Sequence, residues 1–194
     1  DLCRLIPDKS NIELNLSGDK LNISTKNGKY SLATLPSNEF PIFESGDSLN
    51  SITLRSQDLK TLINSTSFAM GNQDWRHYLN GLFLKLEEGV LTAVATDAHR
   101  LALNCLDSVS DINFSGIIPR KSVNEINRFI GDDNSELSLA INDTSLVLSN
   151  DNLTFKSKLI DGAFPDYNQV IPSGDSSLLD VNVKDFVSSL GRVS

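Results

Sequence analysis

The chain has 194 residues, of which 39% are hydrophobic and 22% are charged, and its formal net charge is −8. This composition is typical of a soluble globular protein, and no apolar run approaches the roughly 20 residues that a membrane-spanning helix needs. The acidic balance argues against a nucleic-acid partner unless the basic residues gather on one face. Cys3 and Cys105 lie far apart without a CxxC motif, which favours buried thiols in a reducing compartment over a disulfide or a metal site.

The N-terminal residues predict the last turn of a helix, a loop and a short antiparallel meander. Alternating apolar residues over 12–35 are interrupted by turn residues at 17–19 and 27–28. A looser segment follows, with two prolines and a glycine. The beginning of the chain shows no export signal, so we expect a cytoplasmic protein. The C-terminal residues resemble a helix that is cut short, and the two ends together predict a piece of a longer protein.

A strand followed by a helix is predicted next. Ile52 and Leu54 alternate as in a strand, and Ser56 is expected to be the N-cap of the helix. The residues expected on its buried face recur at helical spacing: Leu59, Leu62, Ile63, Thr66 and Met70.

The remaining elements repeat this order. Strands are predicted near 82–87, 90–96 and 100–106, and then a strand leads through a proline into a second helix that stops at Gly131. Three further strands are predicted near 135–141, 144–149 and 153–159. The fold class is therefore α+β, with two helices covering one face of antiparallel sheet.

Two weak matches within the chain indicate a longer repeat. The pattern L-x4-F-P occurs at Leu35 and again at Leu159, and "ITLRSQDLKTLI" aligns with "LDVNVKDFVSSL". The offsets are 124 and 127 residues, so the chain is expected to contain the end of one domain, a complete second domain and the start of a third.

The segment "TDAHRLA" places Asp97, His99 and Arg100 within four residues. An enzyme could use Asp97 to orient the His99 imidazole, but there is no GxSxG motif, no phosphate-binding loop and too few ligands for zinc. The alternative is a hairpin in which Asp97 caps the turn through backbone hydrogen bonds, and the residue pattern alone favours it.

Several longer motifs are similar to those of one known family. The segments "NQDWRHYLNG", "ATDAHRLA", "IIPRK" and "SKLIDGAFPDY" resemble, in order and spacing, the central domain of the bacterial DNA polymerase III β subunit, the replicative sliding clamp. "YSLATLPSNEFP" resembles the end of its first domain. Two residues depart from the usual family pattern: Ala98 stands where glycine is frequent, and His77 where tyrosine is frequent.

The resemblance implies a DNA-clamp fold with domains 1–46, 47–173 and 174–194, in which antiparallel sheets form the outside and two helices per domain line the inner face. It implies a non-catalytic, head-to-tail homodimeric ring around double-stranded DNA that needs no cofactor or metal. Contacts would go to phosphates, independently of sequence, so that the ring can slide. The DNA-contacting residues expected from the two helices and the adjoining loop are Lys60, Gln73, His77, Arg120, Lys121 and Arg128.

The resemblance also implies a hydrophobic cleft that receives short linear peptides from the replicative polymerase, the clamp loader and repair proteins. The deep pocket would be formed by Thr96, Ala98, His99, Leu101, Pro165 and Val170. A neighbouring groove would be formed by Arg76, Tyr78 and Leu79. The third domain would supply the remaining wall. Two other functions stay open: a small hydrolase that uses Asp97 and His99, and a repeat-built scaffold that never meets DNA.

Overall fold

The computed structural model describes residues 2–40, 51–107, 110–131, 134–172, 174 and 179–193. Its contacts divide the chain into two compact units, residues 1–49 and 50–194. The expected domain boundaries at residues 46 and 173 both lie outside the described residues. The division into three domains therefore stays a prediction.

The first unit contains the predicted meander. A short helix α1 (Leu2–Leu5) precedes three strands, β1 (Glu13–Ser17), β2 (Lys20–Thr25) and β3 (Gly28–Ala33). The strands pair antiparallel in the order β1-β2-β3. Gly18 in the first turn has a φ of 58°, a conformation that glycine adopts without the steric cost of a Cβ.

The second unit repeats one order of elements, a strand, a helix and three strands. Its first half runs β4 (Ser51–Arg55), α2 (Ser56–Thr66), β5 (Gly81–Glu87), β6 (Val90–Thr96) and β7 (Leu101–Asp107). Its second half runs β8 (Phe114–Pro119), α3 (Arg120–Phe129), β9 (Glu136–Ile141), β10 (Ser145–Ser149) and β11 (Thr154–Lys158). The predicted positions of these strands and helices are confirmed to within about two residues.

The predicted antiparallel strands of the second unit form two four-stranded sheets. Their orders are β7-β6-β5-β8 and β11-β10-β9-β4. Each half thus supplies three consecutive strands to one sheet and sends its leading strand into the other, so β4 pairs with β9 and β8 pairs with β5. Periodicity locates strands but does not show which strands pair, so the sequence pattern could not distinguish one sheet from two.

The two helices share a hydrophobic core with both sheets. The predicted buried face of α2 is confirmed, since Leu59, Leu62 and Ile63 are at most 3% exposed and belong to this core. Val123 and Ile126 are the corresponding buried residues of α3. Asn127 of α3 donates from Nδ2 to Asn64 Oδ1 of α2 at 2.9 Å, so the helices are also joined at their surfaces.

The helix ends differ in detail from the prediction. Arg55 is the N-cap residue of α2 and makes no capping hydrogen bond with its side chain, whereas Ser56 is the first helical residue and is fully buried. The N-cap assigned to Ser56 was therefore wrong by one position. Ser56 is the first of the buried residues that recur at helical spacing along α2, three positions before Leu59. None of the helices in the described ranges has the length and apolar character needed to span a membrane.

A fourth helix, α4, covers Val183–Leu190. It begins 127 residues after α2, the offset at which the sequence repeat was found. Residues 179–182 form no strand, although the aligned segment before α2 does. Asn182 caps α4, since its side-chain Oδ1 accepts from the backbone amides of Lys184 and Asp185.

Candidate functional site

One open cavity of about 420 Å³, which we call the cleft, lies beside the turn between β6 and β7. The residues expected for the deep pocket and those expected for the neighbouring groove line this single cavity. It therefore brings together all nine predicted residues: Arg76, Tyr78, Leu79, Thr96, Ala98, His99, Leu101, Pro165 and Val170. Arg100, Phe164, Asp166 and Tyr167 line it as well.

The β6–β7 turn forms one wall of the cleft and is held by its own side chains. The Asp97 carboxylate accepts from the backbone amides of His99 and Arg100, each at 3.0 Å, and from Arg100 Nε at 3.0 Å. Thr96 Oγ1 donates to the Arg100 carbonyl at 2.8 Å and accepts from the Ala98 amide at 3.1 Å. These bonds fix the backbone at the mouth of the cleft and leave the His99 side chain exposed.

The geometry of Asp97 agrees with the turn interpretation. The amides of His99 and Arg100 stabilise the carboxylate and hold the pKa of Asp97 below its usual value. Among the described residues, the hydrogen bonds of this carboxylate go to two backbone amides and a guanidinium, and none goes to an imidazole. Asp97 therefore orients the turn and does not orient the His99 ring for catalysis.

Ala98 occupies a strained backbone position at the edge of the cleft. Its φ is 71°, in the left-handed region where a Cβ is unfavourable. The hydrogen bond from its amide to Thr96 Oγ1 helps to keep this conformation. The site where the family pattern favours glycine is thus a position whose backbone calls for glycine.

The second wall comes from the loop between α2 and β5. Arg76 donates to Asp74 with its backbone amide, with Nε and with Nη2, at 2.8, 3.0 and 2.9 Å. The Arg76 side chain, then its amide, lowers the pKa of Asp74 to about 2. Asn80 accepts from the Asp74 amide at 2.9 Å and donates to its carbonyl at 2.7 Å. The Arg76 guanidinium at the cleft is therefore paired within its own loop.

The third wall is the segment 164–170, which packs on the outer surface of the sheet. The ring of Phe164 stacks on that of Phe83 from β5, with centroids 4.8 Å apart and planes 4° from parallel. Tyr167 also approaches Phe83, at 6.4 Å and 55°. Asp166 begins a short 3-10 turn by accepting from the Asn168 amide at 3.1 Å. Sequence reasoning missed Phe164 and Tyr167 as lining residues, although the aromatic residues around Pro165 were a signal for them.

Three of the four predicted DNA-contacting cations are engaged within the protein. Lys60 Nζ is 3.4 Å from the Ile130 carbonyl, and Arg120 Nη1 donates to the carbonyls of Met70 and Gly71 at 3.0 and 3.2 Å. Arg128 is 73% exposed and pairs with Glu125 on the same helix at 3.0 Å. Lys121 is exposed. All four cations lie on α2 or α3, but they differ in how far their charged groups are already engaged by other groups of the protein.

The net charge of α3 is opposite in sign to that of the whole chain, whereas α2 is neutral because Lys60 is balanced by Asp58. α2 and α3 carry four cations and two carboxylates, a net charge of +2, so all other residues together carry −10. Gln73 and His77, in the loop that follows α2, are exposed and do not line the cleft.

No three metal-ligating side chains come together among the described residues.

Comparison with known proteins identifies relatives of this chain. Residues 53–166 match the family model of the DNA polymerase III beta subunit, central domain. The beta sliding clamp of Pseudomonas aeruginosa is 36% identical over 181 residues, which cover 92% of this chain and 49% of that protein. The chain thus spans about half the length of the curated relatives it matches.

Solved structures agree with these sequence matches. The Pseudomonas aeruginosa sliding clamp bound to griselimycin has a TM-score of 0.82 at 36% identity, over 89% of this chain and 47% of that one. The Bacillus subtilis sliding clamp has a TM-score of 0.86 at 28% identity, over 93% of this chain and 48% of that one. The predicted α+β clamp architecture, with antiparallel sheets and few helices, is therefore confirmed.

Proposed function

Because the chain belongs to the DNA polymerase III beta subunit family, we propose that it acts as part of a sliding clamp, a non-catalytic processivity factor for the replicative polymerase. In this function it encircles double-stranded DNA without reading the sequence, and it docks partner proteins through short linear peptides. The observation that carries the docking function is the cleft, where three separate segments of chain meet around one cavity.

The chemistry of the cleft suits an extended peptide with an apolar anchor. Leu101 and Val170 offer apolar surface, and Phe164 and Tyr167 add aromatic surface, whereas Leu79 lines the cavity but is buried. Exposed Val170 and Pro165 are available to cover the side chain of an incoming leucine or phenylalanine. His99 and Thr96 lie at the turn, where polar groups can orient the peptide backbone. Apolar burial therefore supplies the affinity and the rim supplies the orientation.

Two observations support DNA as the second partner. The net charge of +2 on α3, beside a neutral α2, contrasts with the acidic remainder of the chain and favours the approach of a polyanion to this side of the protein. Lys121 and Arg128 share one face of α3, seven residues apart. Contacts made mainly by flexible, exposed cations go to phosphates and carry no sequence information, as sliding requires.

The proposal extends to the whole clamp. A head-to-tail homodimer of a chain with three similar domains would close a ring in the cytoplasm, and residues 47–173 would form the complete central domain. The replicative polymerase, the clamp loader and repair proteins would compete for the same cleft. α4 begins 127 residues after α2, the same spacing as the two aligned sequence segments, and this supports the domain repeat that such a ring needs.

Binding of griselimycin, the compound bound to the Pseudomonas aeruginosa clamp, tests the cleft. We expect the chain to bind it in isothermal titration calorimetry. Leu101→Ala should weaken binding about tenfold, because it removes apolar surface that a ligand would bury. Unchanged affinity in this variant, or no binding to the parent chain, would contradict the docking function.

The matched control is Leu103→Ala. Leu103 lies two residues further along β7, is partly exposed and does not line the cleft. Leu103 lies opposite Val94 of β6, but the same truncation should change the affinity by less than about twofold, since its exposed side chain does not line the cavity. An equal loss in both variants would show that β7 as a whole is being disturbed and that Leu101 has no particular contact with the ligand.

A further inference from the structure

Phe83 belongs to an apolar cluster on the side of the sheet that faces away from the helices. Along β5, Leu82, Leu84 and Leu86 belong to the main core, whereas Phe83 is only half-buried and does not. Its register partners are Val94 on β6 and Ile117 on β8. Residues directly opposite in an antiparallel pair lie on the same face, so these three side chains share the outer face.

A segment of chain covers this outer face. Val94 and Ile117 are 0% and 2% exposed, yet neither belongs to the main core. The covering begins with Ile160, whose amide donates to the Ile117 carbonyl at 2.8 Å. We call this second cluster, formed by the sheet residues and the segment above them, the outer cluster: Phe83, Val94, Ile117, Ile160, Phe164 and Tyr167.

Beyond Ile160 the segment has few backbone attachments. Within the described residues, the hydrogen bonds of 161–170 are local: the amides of Asn168 and Gln169 donate to Asp166, and that of Val170 donates to the Tyr167 carbonyl. None of them joins the segment to a strand. The contacts of Phe83 with the rings of Phe164 and Tyr167 therefore join this wall of the cleft to the sheet beyond Ile160.

We propose that Phe83 is a positioning residue for the cleft: it does not line the cavity, but its stack on Phe164 places the third wall at the distance a ligand needs. The predicted effect of Phe83 on ligand affinity rests on the proposed docking function. A second claim concerns the free protein, namely that the order of 164–170 depends on the ring of Phe83. This second claim can be tested without a ligand.

Three variants separate the ring from general stability. Phe83→Leu removes the stack and keeps apolar volume, Phe83→Tyr keeps the ring, and Val147→Ala truncates a half-buried side chain on β10 of the other sheet. Because Phe83 lies outside the main core, we expect all three to fold. Phe83→Met, which is also unbranched at Cβ and lacks a ring, replaces Phe83→Leu if that variant unfolds.

Hydrogen exchange of the free protein is the first measurement. In Phe83→Leu we expect the amides of Gln169 and Val170 to exchange about three- to tenfold faster, the factor by which an aromatic pair shifts an equilibrium. The amides of α2 should keep their rates. Phe83→Tyr and Val147→Ala should match the parent at every position. Unchanged exchange at 169 and 170 in Phe83→Leu would overturn the inference.

Griselimycin affinity is the second measurement. We expect a loss of about three- to tenfold in Phe83→Leu and recovery in Phe83→Tyr. Adding Phe83→Leu to Phe164→Leu should cost less than it does in the parent, since the shared stack is already gone and only the contact with Tyr167 remains to be lost. Additive losses in the double variant would overturn the inference. A parent chain that does not bind griselimycin would instead count against the docking function, and the exchange measurement would still decide the role of Phe83.

Discussion

Ala98 shows how a single residue links the backbone to the cleft. Its backbone has a φ of 71°, in the left-handed region, and the residue lines the cavity at its mouth. Two hydrogen bonds through Thr96 and two through Asp97 hold the turn around it. The hydrogen bonds of the neighbouring residues thus compensate for the backbone strain at Ala98. The strained residue is also one that lines the cleft.

Ala98→Gly should stabilise the protein. Glycine adopts a φ of 71° without the steric cost that the alanine Cβ causes. This relief of strain exceeds the larger loss of backbone entropy that glycine suffers on folding, so we expect the free energy of unfolding to rise by about 0.5–1 kcal/mol. Chemical denaturation at constant m-value measures the change. Ala95→Gly is the control: Ala95 is fully buried in β6, so the same substitution there should destabilise the protein. A destabilised Ala98→Gly variant would show that the turn is not strained.

Asp74 provides a pH-dependent test of the second wall. Its pKa in the folded protein is about 2, below the ordinary value of 3.8, because Arg76 donates to the carboxylate. A lowered pKa stabilises the folded state above pH 3.8, and this contribution is lost as the pH falls toward 2. We expect the stability difference between the parent and Asp74→Asn to shrink between pH 4 and 2, measured by thermal unfolding.

The Asp74 carboxyl can also be followed directly. Its titration midpoint, observed by nuclear magnetic resonance, should lie near 2 and should rise toward 3.8 in Arg76→Met. A midpoint near 3.8 in the parent would mean that the Asp74–Arg76 pair is not formed in solution. The Arg76 guanidinium would then be available to a ligand, and the description of this wall would change.

At the scale of elements, Arg120 joins the segment after α2 to the start of α3. Its Nη1 donates to two consecutive backbone carbonyls, those of Met70 and Gly71, and its own amide donates to the Asn80 carbonyl at 3.0 Å. Both ends of the loop that carries Arg76 and His77 are therefore tied to one residue. The resemblance predicted Arg120 as a DNA contact, whereas its geometry points to a structural role for at least one of its nitrogens.

Arg120→Met should lower the free energy of unfolding by about 1–2 kcal/mol, because this substitution removes the hydrogen bonds from a charged group to half-buried carbonyls. Lys121→Met removes the same charge at the next, exposed position and should change stability by less than about 0.5 kcal/mol. Urea denaturation compares the two. Equal stability of both variants would show that the Arg120 hydrogen bonds do not hold the loop.

Most elements were predictable from the sequence, since periodicity, turn residues and Pro119 mark their positions. The pairing of β4 with β9 and of β8 with β5 was not, because contacts between distant strands leave no local signal. The cleft residues were predictable only through the family resemblance: residues 76, 99 and 165 are far apart in sequence. The stack of Phe83 on Phe164 was missed for the same reason.

At the scale of the whole molecule, the proposed DNA binding depends on where the cationic side chains lie. The chain has a net charge of −8, and yet α2 and α3 together are positive. The core between these helices and the two sheets fixes which side chains face away from it. A protein with this charge pattern can admit DNA along its helices while its acidic surfaces repel it.

The most direct test is the salt dependence of DNA binding. In a fluorescence anisotropy titration with duplex DNA, we expect Lys121→Gln/Arg128→Gln to weaken binding at low salt. It should also reduce the slope of log K against log salt concentration by about 2, because each substitution leaves one phosphate without a neutralising cation. The control Lys20→Gln/Lys158→Gln, on exposed positions of β2 and β11, should leave that slope unchanged. Equal slopes for the helix and strand variants would contradict the claim that DNA lies along α2 and α3.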